Sequence, residues 1–315
     1  MSLTIEKIRD ARERIRPHIL CTPLLRMSSL DPFLGCRVYV KAECMQTTGA
    51  FKLRGVMNKV LSLSAQELER GLVAASSGNH GMALAYAGWK LGVRVTVVLP
   101  DTAARVKAER IRAWGAETVC CEVSERFEVA QKLCRERGAT LVPPYNDEEV
   151  MAGQGTLGLE MMEQCPELDA LVVPVSGGGL LAGVATAARA LASGIRVFGA
   201  EPAALPRYTA SLRAGKPVTV ESRRTIADAL VSQRPGDLCF PCVAAQTDGV
   251  LDVGEEEILR GMKLLLMEGK LLCEPSSAVG IGAALAGLVP VLPRDRVCFV
   301  ISGGNVALEQ LQSLA

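Results

Sequence analysis

An α/β fold built on mostly parallel sheet is what this chain predicts, and three observations carry the prediction. From about residue 37 to 300, short β-branched runs alternate with amphipathic stretches of roughly 10 to 15 residues, the pattern of successive βα units. Several of those runs end in polar, glycine-rich segments that lead directly into a helical stretch. The 315 residues are 49% apolar and 22% charged, ordinary for a folded globular chain. That length suits about two cores of roughly 150 residues each.

Strands are predicted, in order, over 38–41, 72–75, 93–98, 118–121, 171–175, 197–200 and 297–301, where Val, Ile, Leu and Thr cluster. Helices are predicted over 52–62, 81–91, 102–114 and 180–191 from apolar residues at helical spacing. Polar stretches near 64–70 and 143–149 are the best breakpoints. They divide the chain into a large domain of 1–66 and 147–315 and a small inserted domain of 67–146, with the active site in the cleft between.

Composition excludes several function classes. With 35 basic against 34 acidic residues the formal charge is +1, which supplies no broad field for nucleic acid or an anionic membrane. No apolar run is long enough to span a bilayer, and the N-terminal stretch is charged and amphipathic, so a cytoplasmic location is expected. Eleven scattered cysteines suit reduced thiols, and the single CxxC, Cys239 to Cys242, has no second pair or histidine nearby to make a metal site.

Four loops carry the chemistry. Ser176, Gly177, Gly178 and Gly179 lead into a helix near Leu180, offering backbone N–H groups at the positive end of a helix dipole, an anion site best suited to phosphate. Gly177, Gly179 and Ala182 also satisfy a dinucleotide fingerprint with Glu201 as ribose ligand, and spacing does not separate the two readings. Lys52 follows a glycine turn and Phe51 at the start of a helical stretch, where the dipole disfavours a cation; burial would make its amine nucleophilic, but on this segment alone a solvated lysine is the favoured reading. The segment Ser76 to Gly81 clusters hydroxyls, Asn79 and His80 around glycine, groups able to bind a carboxylate or a phenolic oxygen. The last loop, beginning at Ser302, closes another apolar strand.

Read together, TGAFKLRG, SSGNHG, SGGGLLAG and SGGN resemble the fold-type II (β-family, tryptophan synthase β-like) pyridoxal-phosphate (PLP) enzymes, most closely serine racemases and the short threonine/serine dehydratases. TPLL, AGQGT, AEP and TIAD at residues 22–25, 152–156, 200–202 and 225–228 extend the likeness over nearly the whole chain. The resemblance implies open twisted, mostly parallel sheets with helices on both faces, PLP as cofactor, an amino-acid substrate and a homodimer. It makes Lys52 the Schiff-base lysine and the base for the Cα proton. Ser176 to Gly179 with the Leu180 amide would hold the cofactor phosphate, Asn79 the ring hydroxyl, and Ser302 would face the pyridine nitrogen, with Phe51 packed near the ring. Ser76, Asn79 and His80 would bind the substrate carboxylate, with Arg126 a weaker candidate.

The implied activity is dehydration of L-serine or L-threonine to a 2-oxo acid and ammonia. Ser77 matches the serine that racemases place on the ring face opposite the lysine, which adds serine racemisation, as a side or principal activity. A β-replacement synthase, an NAD-dependent oxidoreductase and a silent amino-acid-binding protein are the competing readings. The sequence departs from the family pattern at Ala50, Ser176 and Ala229. Racemase-like members often bind a divalent cation through the AEP glutamate, a carbonyl four residues on and an aspartate two beyond. Glu201 and Leu205 match, but the third position is Arg207, so metal dependence is expected to be weak or absent.

Overall fold

The computed structural model describes residues 3–76, 78–103 and 105–312. Among the described residues ten strands are present: β1 Leu24–Arg26, β2 Arg37–Ala42, β3 Leu72–Ala75, β4 Val95–Pro100, β5 Glu117–Cys121, β6 Thr140–Leu141, β7 Ala170–Pro174, β8 Arg196–Pro202, β9 Gly249–Val253 and β10 Arg296–Ile301. They form a six-stranded sheet in the order β1-β2-β10-β7-β8-β9 and a four-stranded sheet in the order β5-β4-β3-β6. All neighbours are parallel except β1, which runs antiparallel to β2. The four-stranded sheet takes its strands from residues 72–141, and the six-stranded sheet takes its strands from either side of that interval.

The predicted strands all occur, with ends shifted by up to two residues. Three strands have no counterpart in the prediction. β1 and β6 span three and two residues, too few to show a period, and β9 is a half-exposed edge strand interrupted by Asp252.

Helices cover both faces of the larger sheet, and the strands alternate between two apolar cores. Along β10, Val297, Phe299 and Ile301 face one core while Cys298 and Val300 face the other. Ala170 and Val172 of β7 are likewise opposed to Leu171 and Val173. A strand buried on both sides shows no polar alternation, which is why these runs read as continuously apolar. No helix among the described residues is long and apolar enough to cross a membrane.

The helix Lys52–Leu61 sits where the two sheets meet. Leu53, Val56, Met57 and Val60 join the core of the four-stranded sheet with Leu72, Ala74 and Val97. Its opposite face crosses the helix Glu148–Gln164 so closely that a Cβ on Gly153 would lie 2.6 Å from Arg54 O. Only glycine permits that approach, which gives the AGQGT segment a packing role.

A buried charge network fixes the same crossing. Arg54 Nε and Nη2 each donate to Glu43 at 2.8 Å, and Arg54 Nη1 donates to Glu160 Oε1 at 2.7 Å. Lys41 Nζ donates to Glu160 Oε2 at 2.7 Å and to Thr22 O at 2.6 Å. Burial opposes the charge on Arg54, but Glu43 and Glu160 outweigh it and raise its pKa. Two cations and two carboxylates therefore balance out of water, and loss of one leaves the others unpaired. Arg54→Met is expected to cost about 3 to 5 kcal/mol, read as a lower urea midpoint. A loss below about 1 kcal/mol would show that the network does not hold the crossing.

Candidate active site

The end of β10 is tied to the segment that carries Lys52. Phe51 N donates to Ser302 O at 3.0 Å, Ala50 pairs with Gly303 in an isolated bridge, and Gly304 N donates to Gly49 O at 2.9 Å. Lys52 then opens its helix with a partly buried side chain. Its Nζ donates to Pro144 O at 2.7 Å and lies 5.0 Å from the centre of the Phe51 ring. Burial lowers its pKa from 10.5 to about 8, against the opposing pull of Cys239 and Glu274. An amine with that value is readily available in the neutral, nucleophilic form.

The glycine loop follows β7 and heads the helix Gly179–Leu191, which no side chain caps. Gly178 has φ +104°, and a Cβ there would fall 1.8 Å from Tyr208 Oη; one on Gly177 would fall 2.4 Å from the Tyr145 ring. Packing and backbone conformation both require glycine. Tyr208 Oη donates to Gly177 O at 3.1 Å, and Gly236 N donates to the same oxygen at 2.9 Å. Ser232 N donates to Ser176 Oγ at 3.3 Å. The loop is thus fastened through its acceptors, while the head of the helix presents its N–H groups to an anion. Lys52 is brought here because its acceptor, Pro144, directly precedes the Tyr145 that lies against the loop.

Asn79 opens the helix Asn79–Leu91 with its side chain in the same region. Its Nδ2 donates to both Glu274 oxygens at 2.9 and 3.1 Å, and its Oδ1 accepts from Asn305 Nδ2 at 2.9 Å. Ser302 is buried with its Oγ 2.9 Å from Ser277 Oγ. His80 is also buried; its Nε2 is 2.8 Å from Val142 O and so carries the proton. Burial, reinforced by the charge of Lys52, lowers its pKa to about 3 and keeps the ring neutral. Ser76 Oγ accepts from Gly78 N at 3.3 Å. Ser77 lies outside the described residues. Arg126 makes its contacts on its own segment, donating to Val123 O at 3.1 Å and lying over the Phe127 ring.

Sequence reasoning passes over Glu274, Tyr145, Tyr208 and Asn305. Glu274 precedes a proline at the start of the helix Pro275–Leu285, where an acid reads as a simple N-cap. Its carboxylate makes no capping bond and is turned instead to Asn79. No local signal marks the two tyrosines, whose role is to fill space behind glycines.

At the expected cation position the carboxylate of Glu201 is fully buried. Both oxygens accept from Tyr208 N at 3.0 Å, and Oε1 also accepts from Thr209 N at 2.8 Å. Arg207 is equally buried, with Nε 3.8 Å from Glu201 Oε2 and Nη1 donating to Val175 O at 3.1 Å. Leu205 O accepts from Arg207 N at 2.9 Å. Among the described residues no group of three or more His, Cys, Asp or Glu is placed to hold a metal. With its oxygens so engaged and no exposure, Glu201 is unsuited to the ribose role of the dinucleotide reading.

The glycine cradle, the uncapped helix head and the desolvated amine beside them fit a phosphorylated aldehyde such as PLP. Comparison with known proteins agrees. The family described as pyridoxal-phosphate dependent enzyme matches residues 15–303. The serine racemase of Arabidopsis thaliana is 41% identical over 98% of this chain and 94% of its own length. The L-threonine ammonia-lyase of Thermotoga maritima is 38% identical over 99% of this chain and 78% of its own. The structure of maize serine racemase superposes with a TM-score of 0.95 at 36% identity, covering 99% of this chain and 97% of that one. A family match over most of the length makes this chain a member of the pyridoxal-phosphate dependent enzymes with the fold-type II architecture.

Proposed function

We propose that the chain is a dehydratase, or ammonia-lyase, of L-serine and L-threonine that releases 2-oxo acid and ammonia and also racemises serine. The observation that carries this proposal is Lys52, an amine lowered to about 8 and set between the support of the glycine loop and the Asn79–Glu274 pair. Relatives named as serine racemase and L-threonine ammonia-lyase support the substrate class.

PLP, when bound, supplies an electron sink that acidifies the proton on the substrate Cα. Ser176, Gly177, Gly178, Gly179 and the Leu180 N–H would hold its phosphate at the helix head, and Lys52 would be its covalent anchor. Asn79 would take the ring hydroxyl and Ser302 would face the ring nitrogen, with Phe51 packed near the ring. Ser302 is neutral and bonded to another neutral hydroxyl, Ser277, so no charge is offered there to keep that nitrogen protonated.

Lys52 takes the Cα proton as the neutral amine and returns it as the ammonium, with a pKa that keeps both forms accessible near pH 8. The substrate carboxylate sits at the head of the helix Asn79–Leu91, which no side chain caps. Ser76 and Asn79 supply donors there. His80 contributes through its backbone, since its ring N–H is directed to Val142. Ser77 serves the opposite face in racemisation. We further propose residues 67–146 as the inserted small domain, a homodimeric assembly and a cytoplasmic location, on the likeness to the family.

Because the neutral amine is the reactive form and its pKa is lowered, capture of added PLP by apoenzyme should accelerate as pH rises through about 8. The growth of visible absorbance measures it, and a midpoint near the ordinary 10.5 would show that Lys52 is solvated. L- and D-serine, L-threonine and 3-hydroxyaspartate, scored for 2-oxo acid and for enantiomer by chiral chromatography, test the reaction. Oxo acid from L-serine or L-threonine together with D-serine is expected; racemisation without oxo acid would make the chain a dedicated racemase. Lys52→Ala should lower turnover by about 1,000-fold or more. Ser77→Ala should reduce racemisation at least about 10-fold while oxo acid still forms. Equal racemisation in that variant would remove Ser77 from the mechanism.

A further inference from the structure

The residues at the expected cation position do not fit a divalent ion. Such an ion needs about six or more oxygen ligands that together carry negative charge. Here both Glu201 oxygens already accept backbone N–H bonds, the Leu205 carbonyl accepts from Arg207 N, and position 207 presents a cation. Asp252, paired with Glu201 across β8 and β9, accepts from Thr209 Oγ1 at 2.7 Å. A dication placed beside the fully buried guanidinium would meet repulsion that water does not screen.

Arg207 is also not a passive filler. Its Nε and Nη2 are buried with no hydrogen-bond partner among the described residues, so the side chain carries a desolvation cost that packing alone does not explain. Its remaining contacts point two ways, to Glu201 Oε2 at 3.8 Å and to Val175 O at 3.1 Å. Val175 leads directly into the glycine loop, and the next residue of the helix Arg207–Ala214, Tyr208, holds Gly177 O. Consecutive residues thus grip the loop on either side of Ser176.

We propose that the Arg207 guanidinium is a built-in counter-ion that stands in place of a divalent cation, neutralises Glu201 and positions the phosphate loop through Val175. The site is then independent of metal. The proposal rests on membership of the PLP family and not on which reaction the enzyme performs.

Thermal unfolding of the holoenzyme and retention of PLP through gel filtration are measured in EDTA and with magnesium, manganese or calcium chloride. The wild-type transition should move by less than about 1 °C between these conditions. Arg207→Asp restores a third oxygen ligand, so its transition should be low in EDTA and rise by about 5 °C with saturating divalent ion. It should also lose PLP several-fold faster in EDTA than with the ion. Arg207→Met removes the charge and offers no ligand, and it should lose PLP faster than wild type whether or not an ion is present.

A saturable rise of several degrees in the wild type would overturn the proposal. So would an Arg207→Asp protein that matches wild type with or without ions, or an Arg207→Met protein that retains PLP as wild type does. Should neither variant fold, the wild-type titration still decides between metal-bound and metal-independent. A wrong reaction assignment would surface in the product panel and leave these shifts unchanged.

Discussion

The main chain beneath Lys52 is held still, because the segment 48–54 is tied on both sides of the lysine. Upstream, Thr48, Gly49, Ala50 and Phe51 all bond to the loop that closes β10. Downstream, Arg54 is gripped by Glu43 and Glu160 inside the protein. One tether consists of backbone hydrogen bonds and the other of buried charge. The side chain between them donates to the Pro144 carbonyl, which is a weaker hold than a carboxylate would be. The arrangement fixes where Lys52 begins and leaves its tip able to move.

The electrostatics follow from the same placement. An ion pair with a carboxylate would hold the lysine as an ammonium, whereas burial favours the neutral amine. Glu274 and Cys239 oppose burial without overcoming it, and the result is a pKa of about 8. Both Glu274 oxygens accept from Asn79, which Asn305 orients in turn. His80 adds no charge to this balance. It is driven to about 3 by the burial and by Lys52, so its ring stays neutral.

Much of the fold was legible because strands buried on both faces leave unbroken apolar runs, as in 171–175 and 297–301, and helices begin at glycine-rich loops. The glycine loop was legible for the same reason: three successive glycines after an apolar strand mark a tight passage into a helix. Lys41, Glu43, Arg54 and Glu160 were not, since charges that pair across about 120 residues look locally like ordinary surface charges. The setting of Lys52 was not legible locally, since its acceptor, the Pro144 carbonyl, is distant in sequence. Arg207 could be named as an odd residue at its position, but its burial against Glu201 and its reach to Val175 depend on how β8 and the following helix pack, which no local pattern encodes.

The departures from the family pattern at Ala50, Ser176 and Ala229 can be judged by what each side chain now touches. Ala50 is fully buried, and its Cβ sits 3.1 Å from where a Cβ on Gly303 would fall, so the bridge that holds Lys52 leaves little room for a side chain at 303. Ser176 uses its hydroxyl to accept from Ser232 N, gaining a tether for the loop that glycine could not supply. The Ala229 N–H donates to Ser276 Oγ at 2.9 Å, a backbone bond indifferent to the added methyl group. Each change therefore leaves the main-chain geometry of the site in place, and the one at Ser176 strengthens it. Together with the grip of Arg207 on Val175 and of Tyr208 on Gly177, that tether fastens three consecutive residues at the start of the loop.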